Sequence, residues 1–155
     1  MRIGVFGGTF DPPHLAHLVL AEEAMFQLDL ERVLWVLTPE SPFKSYAHIS
    51  PWQQRLELLE AALSDNPSFE ISRVDVDRPA PHYANDTLRI LGEIYSNREM
   101  VYLMGGDSLQ DIPEWKQPQS LLDKCHSIGV MRRSGHSVDL PGLELDIPGL
   151  ISKLF

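Results

Sequence analysis

A strand-length apolar run that ends on paired glycines and restarts as a helix opens a parallel, helix-covered sheet. The first residues of this chain form such a run. Arg2-Ile3-Gly4-Val5-Phe6 leads into Gly7-Gly8-Thr9-Phe10-Asp11, then Pro12-Pro13, then a helical pattern beginning His14-Leu15-Ala16-His17. Gly7 and Gly8 are expected to turn the backbone tightly and to let a ligand approach the main chain. The helix start presents unpaired N–H groups and a partial positive charge, which together suit an anion. His14 and His17 are three residues apart and share one face of the first turn. These features predict a phosphate pocket at the carboxyl end of the first strand.

The rest of the chain alternates strand and helix patterns. Strands are expected at Arg2–Phe6, Arg32–Leu37, Phe69–Ser72, Met100–Met104 and Ser127–Met131. Helices are expected at Leu15–Leu28, where Leu15, Leu18, Ala21, Met25 and Leu28 follow a 3.6-residue period, and at Asp86–Tyr95, with a short piece around Leu121–Leu122. Ser50 reads as an N-cap with Pro51 at the first helical position, opening a helix to about Leu63. The expected fold is α/β: a Rossmann-like parallel sheet of five to six strands with helices on both faces, as a single domain over residues 1–155. Ligands of such sheets lie beyond the carboxyl ends of the strands. Residues 7–17, 38–46, 105–115 and 132–135 are therefore expected to converge on one rim.

Composition narrows the partners. With 13 Lys+Arg against 22 Asp+Glu, the net charge of −9 disfavours nucleic acid, which needs a basic surface, but leaves small anionic ligands open. No apolar run is long enough to span a membrane, and Ile3–Phe6 is too short for a signal peptide, so a cytoplasmic location without membrane contact is expected. Cys125 is the only cysteine; its apolar surroundings predict an inert buried thiol.

Common phosphate signatures do not fit the first turn. No lysine stands where a Walker loop needs one, and Gly4, Gly7 and Gly8 lack dinucleotide-fingerprint spacing. No third ligand follows His14 and His17 at a telling spacing, so no protein-bound metal is expected. Lys44 is a point charge suited to phosphate or simply a solvated loop residue. Arg55 reads either as a functional residue of the following helix or as a surface, salt-bridged one. Asn85 or Asp86 is expected to cap the helix that follows Tyr83. Asp107, in Met104-Gly105-Gly106-Asp107-Ser108-Leu109, reads as an N-cap, as a ribose-binding carboxylate, or as both. Gly106–Leu109 spell a hydrolase motif, but those hydrolases carry it near the N-terminus. Arg132 and Arg133 end the fifth strand with two forks that suit phosphate.

Gly8-Thr9-Phe10-Asp11-Pro12 with His14-Leu15-Ala16-His17 resembles the signature of the nucleotidyltransferase superfamily, with Ala16 where glycine is usual. Pro42-Phe43-Lys44, Tyr83-Ala84-Asn85-Asp86-Thr87-Leu88, Gly105-Gly106-Asp107-Ser108-Leu109 with Trp115, and Arg132-Arg133-Ser134-Gly135 resemble, in order, segments of the bacterial nicotinate-nucleotide adenylyltransferases. Phe43, Ala84 and Ser134 depart from that pattern, and Arg55 matches an arginine common in the family. The resemblance implies transfer of AMP from ATP, with its Mg²⁺, to nicotinate mononucleotide in NAD biosynthesis. It implies that His14 and His17 act on the ATP phosphates. Gly7, Gly8, Thr9, Phe10, Gly105, Asp107 and Arg133 would also bind ATP, and Lys44, Tyr83, Thr87, Trp115 and Arg132 would bind the acceptor. The family's C-terminal helix, opening on Ile-Ser-Ser-Thr-x-Ile-Arg, is matched only by Ile151-Ser152 and is expected to be missing. A phosphopantetheine-type adenylyltransferase and a non-catalytic nucleotide-binding module are the alternatives. Homo-oligomerisation is compatible with either reading.

Overall fold

Strand β1 (Arg2–Gly8) is central because it pairs in parallel on both sides, with β2 (Leu30–Leu37) and with β4 (Glu99–Gly105). Strand β3 (Phe69–Ser72) lies beyond β2, and β5 (Ser127–Met131) beyond β4, so the all-parallel order is β3-β2-β1-β4-β5. The computed structural model describes residues 1–42, 48–132, 135 and 137–155. Helices α1 (Leu15–Leu28) and α2 (Trp52–Leu63) cover one face of the sheet. The other carries α3 (Ala84–Ile94), α4 (Gly106–Asp111), α5 (Pro118–Lys124) and α6 (Leu140–Asp146). This is the α/β, Rossmann-like architecture expected from the alternating pattern.

The two-residue period of the strands sorts their side chains between two cores. Val33, Trp35 and Leu37 of β2 join Val101 and Leu103 of β4 under α1 and α2. Leu34 and Val36 join Ile3, Val5, Met100, Tyr102 and Met104 on the opposite face. The apolar run of β2 is continuous because both faces are buried. Each fully buried aliphatic side chain there contributes about 1.5–3 kcal/mol. Gly129 of β5 is needed for close approach: a Cβ there would lie 2.8 Å from both Leu103 Cδ2 and Leu28 Cδ1.

Several helix starts differ from expectation. Pro51, not Ser50, is the N-cap of α2: its carbonyl accepts from the Gln54 and Arg55 amides at 3.1 and 3.3 Å, while the Ser50 N–H donates to Asp11 and the Ser50 carbonyl accepts from the Arg55 side chain. Tyr83 caps α3 with backbone alone, so neither Asn85 nor Asp86 is the cap. Gly105 takes that position in α4, and Asp107 falls inside the first turn. The chain runs outward from β1 through β2 to β3 and then returns to β4 on the other side of β1. The strand order therefore reverses between β1 and β4, which is where ligands of open α/β sheets lie.

Cys125 is buried, and its thiol donates to the Leu121 carbonyl at 3.2 Å. Burial pushes its pKa up to about 11. The thiol is therefore expected to resist thiol-reactive dyes at neutral pH until denaturant is added. Between pH about 9 and about 11 the unfolded thiol loses its proton while the folded one keeps it. Stability contributed by the protonated thiol is present below that window and is lost as pH rises through it, which urea titrations at a series of pH values measure.

Candidate active site

The phosphate turn is built by aromatic packing rather than by glycine torsions. Phe10, not Gly7 or Gly8, takes the left-handed conformation, with φ 45°. L-residues avoid that region unless surroundings enforce it. Here the buried Phe10 ring meets Phe6 edge-on at 5.4 Å and lies 5.3 Å from Trp35. Gly7 and Gly8 instead leave room: a Cβ on Gly7 would stand 3.6 Å from the Tyr102 hydroxyl and one on Gly8 3.3 Å from the Phe10 ring.

The turn then delivers two histidines to the start of α1. His14 is the N-cap, and its N–H donates to His17 Nδ1 at 3.2 Å. Nδ1 is thereby an acceptor, so the proton of the neutral His17 ring sits on Nε2. The two imidazoles stack with centroids 3.7 Å apart, and His17 also meets the Phe10 ring edge-on at 5.1 Å. The His17 amide donates to the His14 carbonyl at 3.0 Å, so the helix-start donors at this turn are the Leu15 and Ala16 amides. Imidazole N–H, helix amides and the helix dipole form a donor set for phosphate. Ala16 fits as an ordinary helical residue within that turn.

Arg55 of α2 ties this turn to the loop after β2. Its side chain is 1% exposed, and it is not the surface residue that one sequence reading allowed. Nη1 donates to the carbonyls of Thr9 (2.6 Å) and Thr38 (3.0 Å), Nη2 to Pro39 (2.7 Å) and Nε to Ser50 (2.8 Å). Burial lowers its pKa, and the Asp11 carboxylate acts in the opposite sense. Asp11 Oδ2 accepts from the Ser50 N–H at 2.9 Å, which holds that carboxyl below its ordinary range.

From Gly7, Gly8 and Thr9 a cleft of ≈ 260 Å³ runs across the ends of β1 and β4, past Gly105, to Tyr83, Thr87 and Trp115. Trp115 stands edge-on to Tyr102 at 6.2 Å. The Lys116 ammonium lies 4.7 Å from the centre of the Tyr83 ring, and Asn85 Nδ2 donates to the carbonyls of Lys116 (2.7 Å) and Gln117 (3.0 Å). These contacts fix the two aromatic walls relative to each other. Beneath them, buried Asp75 accepts from Thr87 Oγ1 (2.8 Å) and pairs with Arg78 Nη2 (2.9 Å). The Thr87 hydroxyl is thus held by the protein, a supporting position the sequence did not reveal.

Seven of the expected site residues line this one cleft: Gly7, Gly8, Thr9, Tyr83, Thr87, Gly105 and Trp115. His14 and His17, at the start of α1, are not among its lining residues, although the Phe6 ring that lines it stands 6.0 Å from the His17 ring; exposed Asp107 lies in the first turn of α4. The Phe10 side chain is in the core, where it supports His17 instead of facing a ligand. Arg132 lines a separate cavity between α1 and β5, among Leu20, Leu28 and Val138, away from the Tyr83–Trp115 walls. Lys44 and Arg133 lie outside the described residues. Asp75, His82 and Lys116 line the cleft without having been singled out. Lys116 directly follows Trp115 in sequence, which was the available signal; Asp75 sits in a loop rich in charge that gave none.

Residues 5–151 match the cytidylyltransferase-like family. The chain is 44% identical over 147 residues to a probable nicotinate-nucleotide adenylyltransferase of Thermomicrobium roseum, covering 95% of this chain and 68% of that protein. To the nicotinate-nucleotide adenylyltransferase of Bacillus subtilis it is 34% identical over 148 residues, 95% of this chain and 78% of the relative. Its fold superimposes with a TM-score of 0.79 on a Plasmodium falciparum nicotinic acid mononucleotide adenylyltransferase solved with NaAD, at 16% identity over 99% of this chain and 73% of that one. The order of matched segments, the sheet that brings them to one rim and these relatives agree: the chain belongs to the cytidylyltransferase-like family and, within it, to the nicotinate-nucleotide adenylyltransferases.

Proposed function

We propose that this protein joins the AMP part of ATP to nicotinate mononucleotide, releasing pyrophosphate and forming nicotinate adenine dinucleotide. The observation that carries the reading is the continuity of the cleft. It starts at the glycine turn beside two imidazoles and a helix N-terminus, and it ends between two aromatic walls. A triphosphate suits the first end, and a flat heteroaromatic ring suits the second. The acceptor is itself a phosphate ester, already anionic at neutral pH, so its attack needs no general base. An oxygen of that 5′-phosphate forms a bond to the α-phosphorus of ATP. The bond from that phosphorus to the bridging oxygen of the β-phosphate breaks, and pyrophosphate leaves with the electron pair.

Nothing in this exchange requires a covalent protein nucleophile. The protein contributes alignment and donors aimed at developing charge. His17 presents Nε2–H, and the α1 amides lie beside it. In this reading His14 shares the phosphate role, Asp107 holds a ribose, and Gly105 leaves space beside it. Tyr83 and Trp115 frame the pyridine ring, with the Thr87 hydroxyl 3.2 Å from the Tyr83 carbonyl behind it. Lys44 and Arg133 are assigned to phosphates, and Arg132, which lines the separate cavity between α1 and β5, is left out of that assignment. A divalent cation, Mg²⁺ in this reading, arrives bound to the triphosphate as part of that substrate. The reading places the chain in the cytoplasm, and no helix among the described residues is long and apolar enough to cross a membrane.

Dinucleotide formation from ATP and nicotinate mononucleotide, followed by chromatography, tests the reaction directly. His17→Ala is expected to lower kcat by about 10²-fold, near 3 kcal/mol, with an unchanged far-UV spectrum. Activity equal to the parent's would remove the imidazole from the mechanism. For Trp115→Ala the expected result is asymmetric: KM for nicotinate mononucleotide rises about tenfold while KM for ATP moves little, since stacking serves only the acceptor ring. Equal changes for both substrates would make Trp115 a packing residue alone.

A further inference from the structure

Arg55 is fully buried, yet among the described residues no carboxylate lies within ion-pair distance of it. All four hydrogen bonds go to backbone carbonyls, and those carbonyls belong to three separate segments. We propose that Arg55 is a positioning residue for adenylyl transfer: it locks the donor-phosphate turn of β1 to the loop after β2 and so sets the alignment between the two nucleotides. The inference rests on the adenylyltransferase reading above.

The fork geometry makes the case. A guanidinium presents five N–H donors in one rigid plane, whereas an ammonium presents three from a single point. Here Nη1 bridges Thr9 and Thr38, one carbonyl from each rim loop, while Nη2 takes Pro39 and Nε takes Ser50. Desolvating such a charge is expensive, and the four carbonyls that accept from it offset that cost. What an apolar residue cannot do is hold several carbonyls of different loops at fixed separation.

Both ends of the tie lead to the proposed chemistry. Thr9 lines the cleft and is followed by Phe10, whose strained backbone and buried ring support His17. On the other side, Thr38 lines the same cleft and Pro39 leads into Ser41 and Pro42, which line it too. Among the described residues one backbone hydrogen bond between the two segments, Thr38 N–H to the Gly8 carbonyl at 2.8 Å, reinforces the link directly. In-line transfer is sensitive to misplacement of about 1 Å, which lowers rate by about 10²-fold without a matching loss of binding for either substrate. A loosened tie should therefore appear in kcat before it appears in KM.

The test uses Arg55→Lys and Arg55→Gln in the full chain, with kcat and KM for ATP and nicotinate mononucleotide and thermal melting of each variant. The same substitutions are repeated with His17→Ala. Folded variants are expected to lose about 10²-fold in kcat while both KM values stay within about threefold. In the His17→Ala background the loss should shrink to about tenfold, because the imidazole at one end of the tie is already gone while the loop at the other end still needs it. Unchanged kcat in a folded variant, a loss carried by KM, or an equal loss in both backgrounds would overturn the proposal. Failure of both variants to fold would overturn it too, by making Arg55 a requirement of the fold. An unsubstituted chain that forms no dinucleotide would count against the adenylyltransferase reading and remove the inference with it.

Discussion

The parallel pairing of β1 on both edges is the constraint from which the rim follows. With β2 and β4 both hydrogen-bonded to it in the same direction, the carboxyl ends of all three strands finish at one end of the sheet. The phosphate turn, the loop after β2 and the glycine pair after β4 are then neighbours by construction. Because both faces of β1 are covered, its ladder is shielded from water, and the turn at its end departs from a rigid base. A surface hairpin carrying the same residues would lack that base.

The chemistry is joined to the core through rings. Trp35 is fully buried, Phe6 and Phe10 pack against it, and Phe10 supports His17, so one aromatic cluster extends from the sheet interior to the first turn of α1. The opposite wall repeats the device: Tyr102 is buried in β4 and meets Trp115 at the cleft. Burial pushes the Tyr102 hydroxyl far above its ordinary pKa, with Asp75 adding to the effect, so it stays a neutral part of the floor. Beneath Tyr83 the Asp75 carboxylate, the Arg78 guanidinium and the Thr87 hydroxyl bond to one another. Each wall therefore pairs an apolar anchor with a polar tip, which limits side-chain motion where ligands would be held.

The strands and long helices were legible because their periods are strong. Leu15–Leu28, Phe69–Ser72 and Ser127–Met131 carry the bounds expected from pattern alone. Helix starts were less legible: Ser50, Asn85 and Asp107 all have capping side chains, yet the structure uses backbone positions beside them. Capping propensity is local, whereas Ser50 was claimed by Asp11 and Arg55 from elsewhere in the chain. The site was legible where its residues sit in contiguous motifs, as at Gly7–Thr9 and Tyr83. It was hidden where function depends on long-range ties, as with Asp75 beneath Thr87. The left-handed torsion at Phe10 was unreadable for a related reason, since only tertiary packing makes that conformation tolerable for a bulky residue.

A chain with net charge −9 that handles polyanionic nucleotides needs a local solution. Charges on a protein surface are screened over about 8 Å at physiological ionic strength, so distant carboxylates add little at the cleft. In the proposed reading a phosphate would meet a helix N-terminus and imidazole N–H there, donors that are directional and short-ranged. Arg55, the cation closest to the turn in the described rim, is committed to carbonyls and so serves geometry before charge. This arrangement favours a ligand that can place its phosphates directly against the donors. A long polyanion lying over the surface would instead meet the acidic exterior. Binding of small nucleotides therefore depends on where the donors are, and it does not require a basic protein.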